Sequence, residues 1–148
     1  MFATLLVPLD GSKEAEGALE QARFLASAQQ GKIILVQACP GPILPSYNLD
    51  DRIREPVMDN EKNRELVANY LESVRSSLQA EGLNVEARVL DSGDPAHQIL
   101  EEVEKQPVDM IVLTSHGRTG LSRFLMGSVA EKVARHANCP VLIVRRKS

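Results

Sequence analysis

Short apolar runs alternate along this chain with segments in which apolar residues recur at every third and fourth position. Phe2 to Val7 is such a run, closed by Pro8-Leu9-Asp10-Gly11-Ser12, and predicts a buried strand. Ala15, Ala18, Leu19, Ala22, Leu25 and Ala26 then share one helical face. Ser12 is the expected cap of this helix, Glu14 and Glu16 suit its first turn, and Gly31 is its expected C-terminal glycine. Ile33 to Ala38 is apolar apart from Gln37, as in a strand covered on both faces. A long helix is predicted from Pro56 or later to Ala80. Leu66, Val67, Tyr70, Leu71, Val74 and Leu78 form its buried stripe, and Gly82 stops it. Val85 to Leu90 reads V-E-A-R-V-L, the alternation of an edge strand. Asp94 as cap and Pro95 at the first position begin another helix, with Ala96, Ile99, Leu100 and Val103 inward and His97 solvated or capping in the first turn. Met110 to Leu113 is the fourth strand. A helix from Val129 turns Val133 and Ala137 inward and ends near Asn138, and Pro140 leads into a fifth strand, Val141 to Val144.

Strict alternation of strand and helix implies right-handed crossovers and one parallel sheet with helices on both faces. The expected fold is therefore a doubly wound α/β sandwich with five parallel strands, in a single domain over residues 1–148. Ligands in such folds lie beyond the C-terminal strand ends, where the strand order reverses. Strands one and four carry unusual chemistry at those ends. If they are neighbours, Asp10 faces the loop after Leu113 across one crevice.

That loop is the densest chemistry in the chain. From Asp109 to Glu131 the sequence passes from an apolar run through a loop with three glycines into a helix opening at Gly127-Ser128. A helix start leaves N–H groups unpaired and carries partial positive charge, and glycines let backbone approach phosphate oxygens. His116, Arg118 and Arg123 add donors and charge. Ser128 and Glu131 have the S-x-x-E spacing of a capping box with Ser128 as cap. The plain alternative is that the glycines only make turns and Ser128 only caps. Asp10, in D-G-S, likewise suits a turn or cap as well as a ligand. The usual P-loop, G-x-x-x-x-G-K-[ST], is absent, since no lysine precedes Ser128.

The spacing Thr114, Gly117, Gly127, Ser128 resembles the phosphate-binding signature G-x-x-G-x(9)-G-[ST] of the ATP-binding universal stress proteins, with threonine in place of the first glycine. V-P-L-D-G-S near the N-terminus and C-P-V-L-I-V-R near the C-terminus extend the resemblance over nearly the whole chain. The resemblance implies strand order 3-2-1-4-5 and the adenine-nucleotide alpha hydrolase-like variant of the fold. It also implies a site for ATP, ADP or AMP. Asp10, Pro8, Leu9 and Ala38 would lie at the adenine–ribose end, and Leu113 and Thr114 would form the opposite wall. Gly117, Arg118, Gly127, Ser128 and Val129 would hold the phosphates, with His116 beside them. A magnesium or manganese ion would bridge phosphate oxygens, with Asp10 the protein carboxylate considered for it. A β-branched residue resists positive φ, so a left-handed backbone at Thr114 would distort the loop.

The formal charge of −3 over 148 residues gives no general attraction to nucleic acid. The N-terminal stretch has no basic lead and no apolar run approaches the ~20 residues that span a bilayer, so a cytoplasmic protein is expected. Cys39 and Cys139 lack metal or redox spacing and are expected as reduced thiols. Cys39 to Asn60, with four prolines, is a long connection that could cover a ligand. The apolar terminal strand Val141 to Val144 is expected to pair with its copy in a homodimer. A nucleotide-dependent signalling module is the leading function. The alternatives are a dimerisation module without nucleotide, a slow ATPase using His116, and a phosphoacceptor receiver domain with Asp91 after strand three. The receiver reading lacks that family's acidic pair and its lysine after strand five.

Overall fold

The computed structural model describes residues 3–39, 60–116 and 126–145. The elements run β1 (Thr4–Pro8), α1 (Lys13–Glu16), α2 (Ala18–Gln29), β2 (Lys32–Ala38), α3 (Asn60–Ala80), β3 (Asn84–Leu90), α4 (Pro95–Lys105), β4 (Met110–Thr114), α5 (Ser128–His136) and β5 (Val141–Val144). All five strands are parallel, in the order β3-β2-β1-β4-β5. The expected doubly wound sheet and its order are thus present. The order reverses at β1, with β2 on one side and β4 on the other.

Two apolar layers explain why the central strands alternate so little in polarity. On one face Leu5, Val7, Ile33, Leu35 and Val112 pack with Ala18, Ala22 and Ala26 of α2 and Val67, Leu71 and Leu78 of α3. On the other, Leu6, Ile34, Val36, Ile111 and Leu113 pack with Ala96 and Ile99 of α4 and Ala130 and Val133 of α5. Each fully buried aliphatic side chain contributes about 1.5–3 kcal/mol. β3, whose polar positions alternate, lies at one edge as expected. β5 lies at the other, with all four residues half-buried.

Several local expectations are corrected. The first helix is two helices, broken at Gly17, whose N–H donates to the Glu14 carbonyl at 3.1 Å in a tight turn. At the end of α2 the left-handed residue is Gln30, φ 52, while the N–H of Gly31 closes the turn on the Ala26 carbonyl at 2.8 Å. Gly31 is needed for space instead: a Cβ there would lie 2.5 Å from the Ala3 carbonyl oxygen. Gly82 does carry the left-handed turn, φ 90, at the end of α3. Leu66 is not in the α3 stripe; it is 54% exposed, because it sits one residue before Val67 and points about 100° away around the helix. On α4 it is Glu102, not an apolar residue, that joins Ala96 and Ile99 in being buried. Its carboxylate accepts from Gln106 at 2.7 Å and faces Arg88 at 3.4 Å. Cys39 is buried, Cys139 is half-buried, and both are free thiols.

Candidate functional site

A cavity of about 250 Å³ opens at the C-terminal ends of β1, β2 and β4, where the strand order reverses. Four segments predicted to meet there do so. Pro8 ends β1 and Leu9 and Asp10 follow it; Ala38 ends β2; Leu113 and Thr114 end β4; Gly127, Ser128 and Val129 open α5. The sequence reading did not include Ala15 of α1, Val36 and Gln37 of β2, Pro95 and Ile99 of α4, Ser115 or Ala130, which complete the lining. The walls are mostly aliphatic. Gly117 and Arg118 of the expected site, Arg123, and Pro40 to Asp59 of the expected covering segment lie outside the described residues.

Backbone ties fix the cavity floor. Leu9 N–H donates to the Val36 carbonyl at 2.8 Å, joining the end of β1 to β2, and Ser115 N–H donates to the Val144 carbonyl at 3.0 Å, joining the end of β4 to β5. Gly127 N–H donates to the Ser115 carbonyl at 2.6 Å, so the start of α5 is moored directly to the tip of β4. A Cβ on Gly127 would lie 3.0 Å from that same carbonyl oxygen. Its φ of −62 is open to any residue, so glycine serves close approach here rather than an unusual turn.

The capping box expected at Ser128 does not form. Gly127 is the cap, with extended backbone (ψ 154), and Ser128 is already the first helical residue, so its side chain cannot reach back to the N–H groups of the first turn. Glu131 points along the helix to Arg135, 2.9 Å away, and its N–H donates to Gly127 O at 2.9 Å as in any α-helix. Among the described residues the helix start therefore has no side-chain cap, and the positive end of its dipole faces the cavity with Gly127, Ser128, Val129 and Ala130 on the lining.

Asp10 makes the turn weighed for it and also stands on the cavity wall. Its Oδ1 accepts from Ser12 N–H at 2.9 Å and from the Ser12 hydroxyl, forming the turn that precedes α1, and it lines the cavity. Ser12 in turn caps α1 through Ala15 N–H at 3.2 Å. Thr114 has ordinary extended strand backbone in register with Val144, so the feared left-handed conformation is not required. Its hydroxyl donates to the His116 carbonyl at 2.8 Å, which steadies the loop as it leaves β4.

His116 is on the other side of that strand tip. It lines a second cavity, of about 350 Å³, with Lys13, Glu14 and Glu20 below it and Val144 and Arg145 beside it. Its Nδ1 lies 3.1 Å from the Ser115 hydroxyl, and its Nε2 is buried with no hydrogen-bond partner among the described residues. His97 is exposed and pairs with Glu101 at 3.4 Å, and Asp91 is exposed and pairs with Arg64 at 3.5 Å.

Over residues 1–145 the sequence matches the profile of the Universal stress protein family. The chain belongs to that family. Universal stress protein YxiE of Bacillus subtilis is 32% identical over 150 residues, covering 98% of this chain and 100% of the relative. The solved structure of MJ0577 from Methanocaldococcus jannaschii superposes with a TM-score of 0.79 at 30% identity and covers 100% of this chain and 99% of that one. A universal stress protein family member from Arabidopsis thaliana, At3g01520, solved with AMP bound, shares the fold at a TM-score of 0.68 and 19% identity, over 99% of this chain and 93% of that one. Among the described residues of this universal stress protein, no group of three or more His, Cys, Asp or Glu side chains is placed to hold a metal ion. No helix among them is long and apolar enough to cross a membrane.

Proposed function

We propose that this universal stress protein binds an adenine nucleotide, with ATP as its principal ligand, in the cavity between the ends of β1 and β4. The observation that carries the reading is the uncapped start of α5 opening onto that cavity beside Gly127. Unpaired main-chain donors and a helix dipole favour an anion, and an aliphatic chamber next to them suits an uncharged base. AMP in a protein of the same fold supports an adenine nucleotide as the ligand class.

In this reading the base and ribose rest against Pro8, Leu9, Asp10 and Ala38, with Leu113 and Thr114 opposite. The phosphates take the N–H groups of Ser128 and Val129 and the Ser128 hydroxyl, which the absence of a capping role leaves available, while Gly127, its own N–H held by Ser115, gives them room to approach the backbone. Gly117 and Arg118 are assigned to the phosphates by the family signature. Magnesium or manganese, when bound, shields the phosphate charges, with Asp10 the carboxylate on the cavity wall. The role is signalling rather than turnover. His116, the histidine considered as a base, lines the other cavity, and a base must come within hydrogen-bond reach of the attacking water. Two copies pair through β5, an apolar sheet edge, and bound nucleotide alters which partner proteins the dimer contacts.

Titration calorimetry tests the ligand: heat with Mg-ATP and with AMP is expected, and no heat with either at millimolar concentration would reject the site. Sedimentation tests the assembly, a monomer at micromolar concentration counting against pairing through β5.

A further inference from the structure

Lys132 and Asp94 join the two helices, α4 and α5, whose first turns line the cavity, although neither side chain is itself on its wall. Asp94 is the cap of α4: its carboxylate accepts from His97 N–H at 3.3 Å, and the next residue, Pro95, is on the cavity wall. Lys132 lies one helical turn after Ser128 on α5, and residues four apart share a helix face. Helical side chains lean toward the N-terminus, so Lys132 leans toward the end of α5 that opens on the cavity. Its Nζ meets Asp94 Oδ2 at 3.4 Å, with the two side chains 57% and 49% exposed.

An exposed pair at that distance is worth little in water, so its ammonium is released at small cost to a stronger anion. A polyphosphate chain on the α5 N-terminus is such an anion, carrying several charges against one on Asp94, whose carboxylate still has the cap of α4 to serve. Resting on the nucleotide reading above, we infer that Lys132 is a phosphate-binding residue that exchanges Asp94 for the outer phosphates of a bound nucleotide. In this chain it supplies, from one turn inside the helix, a cation in addition to the arginines of the glycine loop. The lysine would then discriminate ATP from AMP, because the single phosphate of AMP rests at the helix start and stops short of Lys132.

The test is calorimetric titration of ATP and of AMP into the wild-type protein and the Lys132→Gln, Lys132→Arg and Asp94→Asn variants. Asparagine caps helices about as well as aspartate, so Asp94→Asn keeps α4 while removing the competing charge. Lys132→Gln is expected to weaken ATP roughly five- to twentyfold, the range of a partly exposed charge-assisted hydrogen bond, and to leave AMP within about twofold. Lys132→Arg should retain most of the ATP preference. Asp94→Asn should tighten ATP by roughly twofold or more through the same competition. Equal losses for ATP and AMP in Lys132→Gln, or none, overturn the inference while leaving the cavity assignment in place. Wild-type protein that binds neither nucleotide overturns both.

Discussion

The N–H of Gly127 donates to the carbonyl of Ser115 at 2.6 Å, so the helix that opens the candidate site is fastened to the strand that precedes its loop. Eleven residues of sequence separate the two ends, yet they meet with no side chain between them. The helix start is thereby presented to the cavity at a fixed distance from the sheet.

Gly127→Ala tests this mooring. The added methyl would sit 3.0 Å from the Ser115 oxygen and 3.6 Å from His116 Cα, so the hydrogen bond must lengthen and α5 must shift outward. A loss of about 1–2 kcal/mol of stability is expected from the overpacking. The larger effect should be on ligand: ATP affinity falling at least tenfold by calorimetry, with the protein still folded by circular dichroism. Unchanged affinity would mean that the position of the helix start does not govern binding.

Thr114→Gly would restore the signature glycine. Since Thr114 has strand backbone and donates to the His116 carbonyl at 2.8 Å, glycine there brings no new conformation and removes a tie. The variant is expected to lose about 1 kcal/mol of stability, as glycine does within a strand and as a lost hydrogen bond does. Its ATP affinity should stay within about twofold of the wild type. A large gain would show that threonine obstructs the site.

Gly31 and Gln30 make opposite predictions at adjacent positions. Gly31→Ala drives a Cβ to 2.5 Å from the Ala3 carbonyl oxygen, a backbone atom paired with Lys32 N–H at 2.7 Å, and should cost about 2–3 kcal/mol. Gln30→Gly relieves a left-handed residue, φ 52, and should stabilise by about 0.5–1 kcal/mol. Urea unfolding midpoints of the two variants against wild type decide both.

The pair Lys32–Glu86 joins β2 to β3 at 2.9 Å, and the hydrogen bond from Lys32 holds the Glu86 carboxyl below its ordinary value of 4.5. A depressed carboxylate stabilises the fold above its unfolded pKa and ceases to do so as pH falls through the folded one. The difference in melting temperature between wild type and Lys32→Met should therefore be constant from pH 8 to about pH 5 and shrink below about pH 4. It should be small throughout, since both side chains are partly solvated. A difference that grows on acidification would reverse the assignment.

The fold was legible because burial on two faces writes itself as continuous apolar runs, and Leu5, Leu6, Ile33, Ile34, Ile111 and Val112 have no exposure at all. The position of the cavity followed from strand order. The S-x-x-E pattern misled because a serine and a glutamate three apart also fit the body of a first turn, and Gly127, with no side chain, took the extended cap position that the pattern gave to Ser128. Pro95 is expected as the first helical residue and Ile99 as core. Periodicity tells which face of α4 packs inward, but not that its first turns overhang the tip of a strand from another part of the chain. The exposed Phe24 and the break at Gly17 had no signal that distinguished them from an ordinary helix.

The central place of β1 has a consequence for how the protein is made. Its Leu5–Leu6 stretch pairs with β2 on one side and with Met110–Ile111 on the other, and the tie between Thr4 and Asp109 spans 105 residues. During translation the second partner leaves the ribosome long after the first. A nascent chain halted before Met110 therefore carries an apolar strand open along one edge in the middle of its sheet, a template for aggregation that a holdase would have to shield until β4 arrives.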